Sequence, residues 1–214
     1  MRIGALLALL FLSLAPVLAV DVDKCTEITQ PGYYRLVNDI SGILSGKNYC
    51  IGIFANDVVL DGQEFSISGR GSGYGIYISA SNVTIKNVIF FRYFCGIYIS
   101  SSSNNTIENN TISNGRYGNI NSCGIYLQSS TNNVIKSNTI SENGDGIELS
   151  SSSNNVIENN TISNNNYYGI VLHYSSNNNT IKNNSFTNCG LYVFDSYNNR
   201  VENNLVNGKT ARIP

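Results

Sequence analysis

Apolar and polar positions alternate along most of this chain, and the alternation returns at regular intervals. In Gly75-Ile76-Tyr77-Ile78 the aliphatic side chains are separated by one aromatic position. The pattern comes back as Gly96-Ile97-Tyr98-Ile99, Gly124-Ile125-Tyr126-Leu127, Gly146-Ile147-Glu148-Leu149, Gly169-Ile170-Val171-Leu172 and Gly190-Leu191-Tyr192-Val193. A period of two belongs to a strand with one buried face, not to a helix. A shorter apolar signature follows each copy, from Ile85-Lys86-Asn87 through Ile107-Glu108-Asn109 to Val201-Glu202-Asn203. Asn, Ser and Gly separate these strands, and none of them favours a helix interior.

Self-similarity at a fixed period of this order marks a solenoid or a propeller. A leucine-rich repeat would show its Leu-x-x-Leu-x-Leu pattern, and a propeller blade needs about 40 residues. Two or three strands of about four residues plus tight bends fill the unit instead. The chain is therefore expected to be all-β, a parallel β-helix of about seven coils, stacking its aliphatic positions into one continuous core. Residues 50–206 hold the repeats, 20–49 read as an N-terminal cap, and 207–214 as a C-terminal tail with no closing helix. Parallel pairing leaves strands unsatisfied only at the ends, so the C-terminal coil is expected either to be covered by a partner, as in end-to-end association, or to be left frayed. One interval, from Gly96 to Gly124, is longer than the others. The excess falls in residues 115–122, with Arg116 and Tyr117, and solenoid insertions often line a binding face.

Residues 1–19 carry Arg2, an apolar run from Leu6 to Leu14 and a small residue at Ala19. That is the form of a secretory signal peptide, too short for a comfortable membrane span. No later hydrophobic run suits an anchor, so the mature chain is expected to be exported, extracellular, periplasmic or on the cell surface. The formal net charge of −1 offers nucleic acid no clustered basic surface.

The five cysteines suit an oxidising compartment. Cys25 and Cys50 bracket the cap segment and are expected to bridge. Cys95 and Cys123 stand on adjacent coils, about 4.8 Å apart, within disulfide reach; they form either a second bridge or two small stacked hydrophobes. Cys189 is left free.

Superposing the repeats exposes a charge column: Asp61, Lys86, Glu108, Lys136, Glu158, Lys182, Glu202. Opposite charges facing each other on adjacent strands favour pairing, and a slipped coil would oppose like charges. Asparagine columns follow, Asn109, Asn159, Asn183 and Asn203 beside Asn110, Asn138, Asn160, Asn184 and Asn204. Stacked amides bond along such a pile, and Asn tolerates the left-handed bend conformation. The repeat also generates Asn-x-Ser/Thr sequons at Asn82, Asn104, Asn109, Asn159, Asn178 and Asn183; buried ladder amides cannot be modified, which favours Asn82 and Asn104.

The segments PGYYRLVNDI and NDVVLDGQEFSISG, followed by GIYIS and NNTIENNTIS, resemble the exported right-handed parallel β-helix proteins of the NosD-like group, within the pectate-lyase-like superfamily. The resemblance spans about residues 25–206. It implies a single-stranded right-handed β-helix, carbohydrate binding or sugar hydrolysis, and, for the group's namesake, supply of copper to a periplasmic reductase. Copper needs soft or imidazole ligands, and the only histidine is His173 and the only methionine the leader's Met1. No cofactor is expected.

Glu142, Asp145 and Glu148 form the one acidic cluster outside the charge column. Paired carboxylates hydrolyse glycosides. Alternation puts Asp145 in an inward column with Tyr74, Cys95, Cys123 and Tyr168, and puts Glu148 outside, so the two are expected to point apart. An enzyme reading, hydrolase or lyase, would use Glu148 with Asp145 or Asp195. The other surface candidate is the outward column Tyr77, Tyr98, Tyr126 and Tyr192. Exposed tyrosines offer flat rings with polar tips, suited to sugar rings. The sequence thus favours a non-catalytic protein that binds polysaccharide or a cell-surface glycan, with a carbohydrate-active enzyme as the alternative.

Overall fold

A computed structural model describes residues 18–113, 115, 122–207 and 209–211. Most of the signal segment (1–17), most of the long loop (116–121) and part of the tail (208, 212–214) lie outside the described residues. Strands of two to six residues assemble into three sheets of nine, nine and eight strands. Each coil contributes one strand to each sheet, as Tyr74–Ile78, Thr84–Lys86 and Ile89–Phe91 do before Cys95–Ser100 begins the next coil. The expected parallel β-helix is what forms, and it is longer than seven coils. Residues 20–49 are themselves coil: Val20–Val22 pairs with Gly32–Leu36, which pairs with Val58–Asp61. At the other end Lys209–Ala211 turns back antiparallel on Asn204–Val206, covering the last edge of one sheet.

The inward positions are the aliphatic ones of each signature. Ile76, Ile97, Ile125, Ile147 and Ile170 form one fully buried column, Ile85, Ile107, Ile135, Ile157 and Ile181 another. Ile67, Phe90, Ile112, Ile140, Ile162 and Phe186 complete the triangle from the third sheet. The signature glycines let the backbone approach this core. A Cβ on Gly124 would lie 2.6 Å from Ile140 Cγ2 and 2.5 Å from the Gly146 carbonyl oxygen.

Bends are made by asparagine in two different roles. Asn109, Asn159, Asn183 and Asn203 adopt left-handed φ between 51° and 56°, a conformation Asn tolerates better than most residues. The next residue is buried and forms the ladder. Asn138 donates from its backbone N and its Nδ2 to Asn160 Oδ1 at 2.9 and 3.0 Å, and Nδ2 also donates to the Ile107 carbonyl at 2.9 Å. Asn160 repeats this toward Asn184, and Asn184 toward Asn204. Two further ladders run at the preceding bend, Asn105–Asn133–Asn155–Asn179–Asn199 and Ser102–Ser130–Ser152–Ser176–Ser196.

The charge column stands in register on one sheet and is longer than the sequence suggested. Asp21 opposes Arg35, and Arg35 opposes Asp61, so nine strands carry nine alternating charges. Each cation reaches back to the acid before it: Arg35 to Asp21 at 2.7 Å, Lys86 to Asp61 at 3.3 Å, Lys136 to Glu108 and Lys182 to Glu158 at 2.9 Å. Glu202, on the last described strand of this sheet, bonds Arg200 of its own strand. Burial works against ionisation of Asp61, which is only 4% exposed, yet hydrogen bonds from Asn87, Tyr33 and the Gln63 N–H, together with Lys86, hold its carboxyl at about 2.

Both disulfides join neighbouring coils. Cys25 and Cys50 have Cα atoms 4.5 Å apart, and Cys95 and Cys123, paired in register, 4.6 Å. Cys189 is free.

Two predictions follow from the bends and the charge column. Glu108→Lys, which places cations on three consecutive coils, lowers unfolding free energy by about 1 kcal/mol. Glu108→Gln costs less, and salt narrows the difference; equal melting of the lysine variant and wild type at low salt would refute a stabilising column. Asn160→Ala removes the partner of the buried Asn138 main-chain N–H and a donor to the Ile135 carbonyl and costs about 3 kcal/mol, against about 1 kcal/mol for exposed Asn159→Ala. Urea unfolding of the pair checks the contrast.

Candidate functional site

The sheet formed by Tyr74–Ile78, Cys95–Ser100, Cys123–Gln128, Asp145–Ser150, Ile170–His173 and Leu191–Val193 carries the candidate groups. Its outward column is set by register: Tyr77 beside Tyr98, Tyr98 beside Tyr126, Tyr126 beside Glu148, then Val171 and Tyr192. Inward Ile and Leu on either side fix this direction, because successive strand residues face opposite ways.

The pre-glycine column does not face inward as simple alternation suggested. The glycine takes the inward place, since a Cβ on Gly146 would meet Ile162 Cγ2 at 2.9 Å. Glycine and the following isoleucine both face the core, so the residue before glycine turns onto the tyrosine side. The Tyr74 ring centroid accordingly lies 4.7 Å from Tyr98 and 6.3 Å from Tyr77. Asp145 and Glu148 therefore share one face and sense each other's charge, correcting the expectation that they point apart.

Sequence reasoning missed the partner that completes this group. His173 Nε2 lies 3.0 Å from Glu148 Oε1. Glu148 is in register with Val171, so His173 stands two residues on, at the diagonal position that long side chains can reach across adjacent strands. That register signal was present in the repeat. Asp145 accepts a 2.9 Å hydrogen bond from the Tyr168 N–H. Burial pushes its carboxyl up from 3.8 to about 6 against that bond, with Glu148 acting upward and His173 downward. Burial likewise raises Glu148, against the pull of His173. A carboxyl pushed up to about 6 beside a Glu–His pair is able to exchange protons with a ligand. Asp195 is not brought to this group: it sits on the bend after Leu191–Val193, two coils on, where Tyr197 donates to it at 3.4 Å. Arg116 and Tyr117 lie outside the described residues. Among the described residues no group of three or more His, Cys, Asp or Glu is arranged to hold a metal ion.

Tyrosine rings of the stripe stack on one another, while Tyr168 and Tyr192 remain exposed. Coils repeat at about 4.8 Å, close to ring-stacking distance, so rings on successive coils cover one another. Tyr49 stacks on Tyr77 at 5.6 Å and 13°, Tyr98 on Tyr126 at 5.1 Å and 10°, and Tyr168 on Tyr192 at 4.6 Å and 12°. Tyr77 meets Tyr98 edge-on. The result is a stripe of stacked rings, with the Tyr98 hydroxyl bonded to Gln128 Oε1. The stripe is interrupted at Glu148, Asp145 and His173 and resumes at Tyr168 and Tyr192.

The raised carboxyl of Asp145 gives a pH prediction. Its folded-state value lies above the ordinary 3.8, so the folded chain holds this proton more tightly than the unfolded one. The resulting stability is present in acid and is lost as pH climbs from about 4 to about 6. Asp145→Asn keeps the acceptor for Tyr168 and removes the charge. It raises stability at pH 7 by about 1 kcal/mol, allowing for solvent screening, and leaves stability at pH 4 unchanged. Thermal melts at both pH values test this; an equal shift at each would mean that charge is not the cause.

No curated protein sequence matches this chain. Among solved structures it is similar to the periplasmic alginate epimerase AlgG, with TM-score 0.65 and 19% identity over 83% of this chain and 46% of the epimerase. It is also similar to PfbA, a surface adhesin of Streptococcus pneumoniae, with TM-score 0.64 and 18% identity over 79% of this chain and 52% of the adhesin. An alginate lyase from Paenibacillus sp. matches at TM-score 0.62 and 16% identity, over 88% of this chain and 87% of the lyase. The chain thus spans less than half the length of the epimerase, and at these identities the likeness is one of fold. Residues 43–207 match the family described as the right handed beta helix region, and the chain belongs to that family.

Proposed function

We propose that this is an exported β-helix protein that binds polysaccharide along its tyrosine face without cleaving it. The observation that carries the reading is the stripe Tyr74, Tyr77, Tyr98 and Tyr126, continued past Glu148 and His173 by Tyr168 and Tyr192. The rings give partly apolar contact, while phenol hydroxyls, the imidazole and the carboxyls exchange hydrogen bonds with sugar hydroxyls. Two disulfides support export, since such bridges persist in oxidising compartments. The named similarity to an adhesin is consistent with binding alone. Membership of the NosD-like group is part of this proposal, without its copper chemistry, because His173 is bonded to Glu148 and no group of three or more potential metal ligands forms among the described residues.

One observation favours a second reading, a carbohydrate-active enzyme. Asp145, Glu148 and His173 meet on one face with both carboxyls raised, and two of the similar structures are an alginate epimerase and an alginate lyase. There Glu148 with His173 would move the proton and Asp145 would act as the acid.

The two readings part experimentally. Binding without turnover predicts that Tyr98→Ala and Tyr126→Ala each weaken polysaccharide affinity about tenfold with the fold intact by circular dichroism, while Glu148→Gln changes it little. Affinity electrophoresis against neutral and acidic polymers measures the first part. Assays of reducing ends and unsaturated products measure the second, and release of either that disappears in Glu148→Gln would establish the enzyme instead.

A further inference from the structure

The structure separates the asparagines buried in the ladders from those that face water, and every sequon begins on the water-facing side. Six sequons begin at Asn82, Asn104, Asn109, Asn159, Asn178 and Asn183. Each of these residues is exposed and sits on a bend with φ between 55° and 59°. The middle residue of each sequon turns inward: Val83 for the first, ladder amides for the rest. The hydroxyl residue then opens the following strand, as Thr106 opens Thr106–Glu108 and Thr111 opens Thr111–Ser113. None of the eleven buried asparagines begins a sequon. The sequence view that ladder burial excludes most sequons therefore fails, because the ladder amide is the neighbour of the acceptor and not the acceptor.

Five of the six side-chain amides make no hydrogen bond to any described residue. Asn82 is the exception, its Nδ2 donating to Asp57 Oδ1 at 3.1 Å. We propose that Asn104, Asn109, Asn159, Asn178 and Asn183 are acceptors for N-linked glycans, a modification that rests on the chain being exported. The donor class is an oligosaccharide carried on a lipid diphosphate. The Asn amide nitrogen forms the bond to the anomeric carbon, the bond from that carbon to the diphosphate oxygen breaks, the lipid diphosphate leaves with the electron pair, and one amide proton passes to a base of the transferase. A glycan at any of the five extends into water and displaces no core group.

The sites also have a direction. Asn104 and Asn178 lie on the bend that leads into the sheet of alternating charges, and Asn109, Asn159 and Asn183 on the bend that leads out of it. The bends that lead into the tyrosine sheet carry no sequon. Glycans would flank the charged sheet on both edges and leave one long edge of the tyrosine face unobstructed.

The test secretes the full chain from a eukaryotic host whose export route performs N-glycosylation, followed by intact mass measurement and glycopeptide mapping after peptide-N-glycosidase treatment. Glycan on all five asparagines of folded protein is expected, with Asn82 less occupied and rising in Asp57→Ala. Each Asn→Gln change removes one glycan. Thr106→Val removes the glycan at Asn104 without touching the bend, and the fold accepts it because Val134 and Val156 occupy the same column. A secreted, folded chain of unmodified mass would overturn the proposal, and so would glycan confined to the misfolded fraction.

Discussion

A parallel coil must turn three times per repeat and still find partners for its buried amides, and among the described residues only the Asn105 and Asn165 side-chain Nδ2 atoms are left without one. Strand pairing cannot do this at the corners, where the backbone leaves the ladder direction. The buried Asn and Ser residues do it instead. One carboxamide accepts the main-chain N–H and the side-chain N–H of the coil before it, and donates to a carbonyl further back. Each corner thereby copies the hydrogen-bond repeat of the strands at the same interval. Unpaired buried amides cost more than their hydrogen bonds contribute, so everything else in the molecule depends on these corners being closed. The abundance of asparagine, which would suit a disordered tract in another chain, is here a consequence of counting corners.

With the inside so uniform, difference is confined to the outside. One sheet carries alternating charge, one carries small hydroxyl residues such as Thr111 and Ser113, and one carries tyrosines broken by Asp145, Glu148 and His173. Register transmits each choice up the stack, so a residue type placed once becomes a column. The same register converts tyrosines into mutually stacked rings and places an imidazole diagonally from a carboxylate.

The period, the aliphatic core, the charge column and the cysteine pairs were legible because each depends only on residues recurring at one spacing. What was not legible depends on departures from a straight strand. Gly146 lets two successive residues face the core, and that single change of parity carried Asp145 from the expected interior to the face of Glu148. The segment 20–49 lacks the repeat's signature yet pairs in the same sheets, because Val22, Ile28, Leu36 and Ile40 fill the inward places without the Gly-Ile motif. The Asn105 and Ser102 ladders escaped notice since no apolar signature marks that corner. Ring orientation at Tyr98 and Tyr126 depends on the distance between coils, which a list of column members does not convey.

The charge column has an odd number of members, and an alternating series of odd length begins and ends on the same sign. Asp21 stands at one end of the solenoid and Glu202 at the other. Joining two molecules tail to head along that sheet would set carboxylate against carboxylate at the seam, the one misfit in an otherwise perfect sequence of opposites. Glu202 meanwhile satisfies itself with Arg200 in its own strand. An odd count therefore gives the first and last strands of this sheet the same sign of charge.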